Sequence, residues 1–99
     1  MITGPSRLPD ISAYIDLIDR FIERRVTAPE FERLFLQMMK SEHRTLGELT
    51  YPILQELFEV ADAYVERPEL RTEAEDLDDE ELIASAARTR QALRVIGFD

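Results

Sequence analysis

The feature that most constrains this chain is an apolar stripe of helical period between Pro52 and Arg67. Apolar residues recur there three or four positions apart, at Ile53, Leu54, Leu57, Phe58, Ala61, Tyr64 and Val65. Because residues at this spacing share one face of an α-helix, the stripe predicts an amphipathic helix that buries this face against other elements. Pro52 suits the first turn of such a helix, with Thr50 or Tyr51 near the cap. Arg67-Pro68 is predicted to end it.

Two further helices are predicted before this stripe. The first starts at Asp10, with Asp10 or Ser12 as its cap. It is predicted to keep Arg24 and Arg25 in its last turn, where positive charge meets the negative end of the helix dipole. Two or three residues later, the sequence from Thr27 to Glu30 forms a capping box with proline in the first turn, which predicts a second helix antiparallel to the first.

A last helix is predicted from the acidic run at residues 78–81 to Gly97, a C-cap candidate. The stretch from Met39 to Tyr51 is ambiguous, because Thr45 and Glu48 have the spacing of a capping box while Gly47 interrupts the pattern. No strand pattern or internal repeat occurs in the sequence. The predicted fold class is therefore all-α, an antiparallel four-helix bundle.

The chain has the length of one domain, since its 99 residues are far below the size at which cores divide. We expect residues 1–9 to form a flexible tail and residues 10–99 a single helical domain. Cysteine is absent, so disulfides are excluded. No secretion signal or membrane span is recognisable, and a cytoplasmic location is the expectation.

The net charge is concentrated in one part of the chain. Twelve acidic and two basic residues lie between Glu56 and Glu81, a balance of −10, while the whole chain carries −9. This acidity argues against binding nucleic acid, whose phosphates require Lys and Arg, and favours a basic partner.

Three carboxylates within this segment, Glu59, Asp62 and Glu66, have the spacing that places them on one helix face. Like charges at this spacing destabilise a helix slightly, so the face is either simply solvated or used for binding. Three aspartates around the start of the last helix, Asp76, Asp78 and Asp79, could extend the same surface. These six residues are the candidate binding site.

Catalytic and metal chemistry find little support in the sequence. The single histidine, His43, cannot supply the paired Glu-x-x-His motifs of a di-iron bundle. The acidic run at residues 76–81 lacks the central glycine of a calcium loop, and helix capping explains it without an ion. Ser41 near His43 has no oxyanion or pocket signal beside it. We therefore predict that the protein is not an enzyme and has no cofactor or metal.

Most aromatic residues occupy core positions of their helical stripes. Tyr51 and Phe98 fall near helix ends instead, so one of them could be exposed as an anchor for a partner.

Several segments resemble the colicin D-type immunity proteins, also called bacterial self-protective colicin-like immunity proteins. The resemblance is carried by the run from Leu57 to Tyr64, by Pro68-Glu69-Leu70-Arg71 and by the acidic helix start at residues 77–82. Residues 15–22 and 27–32 are similar to the first helix pair of that family. The resemblance spans roughly residues 10–95.

The resemblance implies a small helical bundle that binds the nuclease domain of a cognate toxin and blocks its active site. In the colicin D case the toxin cleaves tRNA, and acidic groups face a basic cleft. The family-typical motif covers Asp62, Tyr64 and the residues from Pro68 to Arg71, of which Tyr64 and Leu70 are expected to be structural. Glu59 and Glu66 are assigned by charge and helix geometry alone.

Two functions follow as hypotheses. The first is that the protein inhibits a toxin nuclease through its acidic surface and is monomeric when free. The second is a structural or regulatory bundle that mediates protein assembly, which requires a sizeable exposed apolar patch.

Overall fold

The computed structural model describes residues 9–64 and 78–98, which form four helices: α1 (Ser12–Ile22), α2 (Ala28–Lys40), α3 (Thr50–Ala63) and α4 (Asp79–Val95). Each helix packs against its neighbours in sequence, and α4 returns to pack against α1. A smaller contact joins α2 and α4 across the centre, whereas the described parts of α1 and α3 lie diagonally apart. The prediction of an all-α antiparallel four-helix bundle is confirmed.

A column of aromatic rings forms one side of the core. Phe21 stacks on Phe31 with 4.4 Å between ring centroids, and Phe31 stacks on Phe35 at 5.3 Å. Tyr14 meets Phe35 edge-on at 6.0 Å. These residues come from α1 and α2 and are fully buried, so the column fixes how the first helix pair packs.

The apolar stripes of α3 and α4 supply the other side of the core. Leu54, Leu57 and Ala61 of α3 are fully buried, as are Leu82, Ala86 and Leu93 of α4. Their three-to-four spacing is the one that the sequence displays.

The capping box predicted at Thr27 is confirmed, and the acidic start predicted for the last helix contains a second one, whereas Thr45 and Glu48 do not open a helix. The Thr27 hydroxyl accepts a hydrogen bond from the Glu30 backbone N–H, and the Glu30 carboxylate accepts one from the Thr27 N–H. Asp78 and Glu81 make the equivalent pair at the start of α4. Both pairs satisfy backbone donors that a helix start leaves open.

The first helix ends earlier than predicted, at Ile22, and the placement of Arg24 and Arg25 in its last turn is wrong. Arg24 adopts a positive φ of 63°. Its N–H donates to the Phe21 carbonyl, and the Arg25 N–H donates to the Arg20 carbonyl. This is a Schellman termination without the usual glycine, so the sequence gives no sign of it. The connection to α2 is correspondingly longer than two or three residues.

Gly97 ends α4 in the same way and confirms the predicted C-cap. It has φ 117°, its N–H donates to the Arg94 carbonyl, and the Phe98 N–H donates to the Leu93 carbonyl. Phe98 packs into the core, only 9% exposed, so it is not the exposed anchor.

The third helix also differs from its predicted bounds. Residues 45–48 are not helical, Gly47 has φ 96°, and Leu49 precedes α3 without a side-chain cap. Pro52 lies in the first turn, as predicted. At the other end, Tyr64 is extended (φ −67°, ψ 135°), so the prediction that the helix continues to Arg67 is wrong.

Among the described residues, Arg90 is the charged side chain that lies buried. It is 4% exposed. Its Nε donates to Oδ1 of Asp19 on α1 at 3.0 Å, and its Nη1 donates to the Phe98 carbonyl at 2.8 Å. One side chain thus joins α4 to α1 and to the C-terminal turn.

Glu42 organises a second polar cluster at the end of α2. Its carboxylate accepts hydrogen bonds from Arg44, at 2.7 and 2.9 Å, and from the Tyr14 hydroxyl at 2.7 Å. Arg44 also donates to the Asp10 carbonyl at 2.8 Å. The Arg44 bonds, followed by the Tyr14 bond, lower the pKa of Glu42 to about 2. Burial and the neighbouring carboxylate raise the pKa of Tyr14.

Replacing Arg90 tests whether it anchors the bundle. Arg90→Met leaves the Asp19 carboxylate and the Phe98 carbonyl without their donor, and we expect it to lower the free energy of unfolding by about 2–3 kcal/mol. The exposed Arg94→Met is the matched control and should change stability by less than about 0.5 kcal/mol. Urea denaturation followed by circular dichroism measures both, and equal effects would refute the anchoring role.

The Glu42 cluster predicts an acid-sensitive contribution to stability. The pKa of Glu42 is lower in the folded protein than its ordinary value of 4.5. The ionised Glu42 side chain therefore contributes fully to folding stability above pH 4.5, and this contribution is lost as the pH falls toward about 2. Glu42→Gln should therefore lose more stability at pH 7 than at pH 2.5. Thermal unfolding across this pH range measures the difference from wild type. Glu48→Gln, at an exposed position in the following loop, is the matched control.

Candidate functional site

The outward face of α3 carries charges of one sign. Glu56, Glu59 and Asp62 are all exposed, and α3 contains no basic residue. Each of the other helices carries both acidic and basic side chains. Because no cation on the same helix neutralises these carboxylates, the field of α3 extends into solvent.

A ladder of polar side chains continues this face toward the start of α3. The Tyr51 hydroxyl donates to Gln55 Oε1 at 2.9 Å, and Gln55 Nε2 donates to Glu59 at 3.4 Å. Tyr51 is 48% exposed. Of the two aromatic residues near helix ends, Tyr51 is therefore the exposed one.

Asp62 is the least constrained of the candidate site residues that the structure describes. Its side chain is exposed and makes no hydrogen bond or ion pair with the residues that the structure describes. The Asp62 carboxylate can therefore bind a partner without breaking a hydrogen bond or ion pair with the described residues.

Asp78 and Asp79 have structural partners. Asp78 caps α4, and Asp79 Oδ1 accepts a hydrogen bond of 2.6 Å from the Tyr64 hydroxyl. Tyr64 is 5% exposed, and it follows α3 directly. This bond places the start of α4 beside the end of α3, two residues from Asp62. The structural role expected of Tyr64 is confirmed.

The candidate residues thus fall into three groups. Glu59 and Asp62 share the outward face of α3. Asp78 and Asp79 lie at the adjoining start of α4. Glu66 and Asp76 lie outside the described residues, as do Leu70 and the rest of the Pro68 to Arg71 motif.

A groove between α3 and α4 adds a feature that the sequence did not indicate. Two hollows share Val60, Ser85 and Arg88 and form one continuous depression. Its other lining residues are Ile53, Glu56, Leu57, Glu81, Ala84, Thr89 and Ala92. The lining thus combines apolar residues with two acidic side chains, Glu56 and Glu81, and one basic side chain, Arg88.

Residues 9–64 and 78–98 contain no group of three or more His, Cys, Asp or Glu side chains that could hold a metal ion. None of their helices is long and apolar enough to cross a membrane.

Comparison with known proteins gives a match to the family described as bacterial self-protective colicin-like immunity. The match covers residues 10–93 and therefore all four helices except the end of α4. The chain belongs to this family. The resemblance seen in the sequence is confirmed at that level, and family membership indicates an inhibitor of a bacteriocin toxin rather than a catalyst. No curated protein and no solved structure matches this colicin-like immunity protein.

The Tyr64–Asp79 bond predicts a measurable link between the two helices of the site in this immunity protein. Tyr64→Phe removes a hydrogen bond to a carboxylate from a buried ring, and we expect a loss of about 1–2 kcal/mol in unfolding free energy. Tyr51→Phe removes an exposed hydroxyl and should cost less than about 0.5 kcal/mol. Chemical denaturation compares the two, and an equal loss would contradict the linking role of Tyr64.

Proposed function

We propose that this colicin-like immunity protein inhibits a toxin whose lethal domain is a basic ribonuclease acting on tRNA. The proposed contact surface consists of Glu59, Asp62, Glu66, Asp76, Asp78 and Asp79. The observation that supports it best is the exposure of Glu56, Glu59 and Asp62 on a helix without any basic residue.

A nuclease must hold phosphates, and it does so with Lys and Arg. A rigid row of carboxylates can occupy such a cleft because it presents negative charge to the Lys and Arg side chains that otherwise bind phosphates. Opposite fields also speed the encounter of the two proteins. Inhibition by this route requires no catalysis and no cofactor.

Among the proposed contact residues, Glu59 and Asp62 have the clearest functional interpretation. Folding gains nothing visible from Asp62, and Glu59 makes only a long hydrogen bond with Gln55. Asp78 and Asp79 combine two roles, since each supports the bundle while remaining at its surface. Substitutions at Glu59 and Asp62 therefore separate binding from stability better than substitutions on α4.

The alternative of an assembly bundle finds less support in the surface. Among the described residues, the exposed large apolar side chains are Leu49, Tyr51 and Val95. The first two lie at the start of α3 and Val95 at the end of α4. An assembly interface requires a contiguous apolar patch rather than a few single residues.

A double charge reversal tests the proposal. Glu59→Lys with Asp62→Lys should preserve the circular dichroism spectrum and weaken binding to the toxin domain by at least about 100-fold, because two attractive contacts become repulsive. The toxin is first identified by co-purification from the native host. Its domain is then assayed on tRNA, on other RNA and on DNA, with and without the immunity protein.

The matched control applies the same charge change to the diagonally opposite side, at Asp16 within α1 and at Glu23 directly after its end. Asp16 and Glu23 are exposed and make only surface ion pairs, with Arg20 and Arg25. Asp16→Lys with Glu23→Lys should keep full inhibition apart from a slower association. Undiminished inhibition by the Glu59 and Asp62 variant would refute the acidic surface, and a toxin without nuclease activity would refute the proposed target.

A further inference from the structure

The residues that line the groove between α3 and α4 are of the kinds found at the centre of protein interfaces. Ile53, Val60 and Ala92 are partly exposed and lie above the buried Leu57. A hollow with apolar walls and a polar rim is the usual anatomy of the well-packed core of a protein interface. The charged groups around it indicate what kind of segment fits.

Two of those groups are acidic and stand on opposite walls. Glu56 on α3 and Glu81 on α4 are both exposed. Glu81 also accepts a long hydrogen bond of 3.4 Å at the α4 cap, so its carboxylate is held at the groove end. Basic side chains on either side of an inserted apolar group would pair with these two residues.

The third charged group, Arg88, is held by the groove itself. Its Nη2 donates to the Ser85 hydroxyl at 2.8 Å, and Ser85 is buried. A guanidinium has five N–H donors. Among the described residues, only the Ser85 hydroxyl accepts a hydrogen bond from the Arg88 guanidinium. The remaining N–H donors of Arg88 can therefore bond main-chain carbonyls of a bound segment.

We propose that this groove receives an apolar side chain of the toxin, carried on a surface segment with Lys or Arg flanking it. The flanking cations meet Glu56 and Glu81, and Arg88 bonds the carbonyls of the segment. The inference rests on the proposed function for the partner's basic charge and adds a second contact to it. Glu56 and Glu59 lie three residues apart on α3, so groove and acidic face adjoin.

The two contacts have different consequences for recognition. A field of carboxylates attracts any basic domain, because charge attraction depends weakly on shape. A hollow of fixed size accepts some side chains and excludes others. The groove is therefore expected to determine which toxin is inhibited, and the acidic face to determine how fast it is captured.

Two exposed alanines on α4 give a matched test. Ala84 lines the groove, whereas Ala87 does not and is also exposed. Ala84→Trp fills the entrance, and it should weaken binding to the co-purified toxin domain by at least about 30-fold, mainly through faster dissociation. Ala87→Trp should bind within about twofold of wild type. Surface plasmon resonance with the intact chain measures both.

Hydrogen exchange on the wild-type complex provides a reading that needs no substitution. Residues 53–60 and 84–92 should gain protection on toxin binding, whereas residues 16–22 of α1 should not. Equal binding by the two tryptophan variants, or no added protection at the groove, overturns the inference.

The charge-reversal variant distinguishes this inference from the proposed function. If reversal at Glu59 and Asp62 abolishes inhibition while Ala84→Trp binds normally, the groove contact is wrong and the acidic surface stands. If only Ala84→Trp weakens binding, the groove contact stands and the acidic surface is wrong.

Discussion

The buried guanidinium of Arg90 is the interaction on which the arrangement of this bundle depends. It closes the ring of helices by bonding Asp19 on α1, and it holds the C-terminal turn through the Phe98 carbonyl. A charged side chain that is only 4% exposed destabilises the fold unless it has partners, so Arg90, Asp19 and the Phe98 carbonyl act as a unit. Because α4 is fixed in this way, the groove that it forms with α3 has a defined shape.

The acidic residues of the chain divide between folding and surface charge. Asp78 caps a helix and Asp79 receives the Tyr64 hydroxyl, so these two hold α4 against the end of α3. Glu59 and Asp62 contribute little to folding, and their like charges weaken α3 slightly. In the function that we propose, this local penalty is offset by recognition of the toxin.

Much of the fold could be predicted from the sequence because its signals are local. The capping box at Thr27, the acidic helix start at Asp78, Pro52 in a first turn and Gly97 past a last turn each act within a few residues. The points that failed depend on tertiary contacts or on unusual backbone. Arg24 takes a conformation normally left to glycine, and Tyr64 leaves its helix to reach Asp79.

The candidate site shows the same division. Glu59 and Asp62 were found because helical spacing and charge reveal an exposed face. The groove was missed because it combines residues of two helices whose relative position follows only from packing. The burial of Arg90 was missed for the same reason, since a basic residue near a helix end normally indicates solvent exposure.

The central claim is that acidic α3 occupies the place of nucleic acid on the toxin. Steady-state inhibition of the toxin's nuclease domain, measured at several RNA concentrations, tests it most directly. Our account predicts competitive inhibition, in which the apparent inhibition constant rises in proportion to RNA concentration. An apparent constant that does not change with RNA concentration would place the immunity protein away from the substrate cleft and contradict the account.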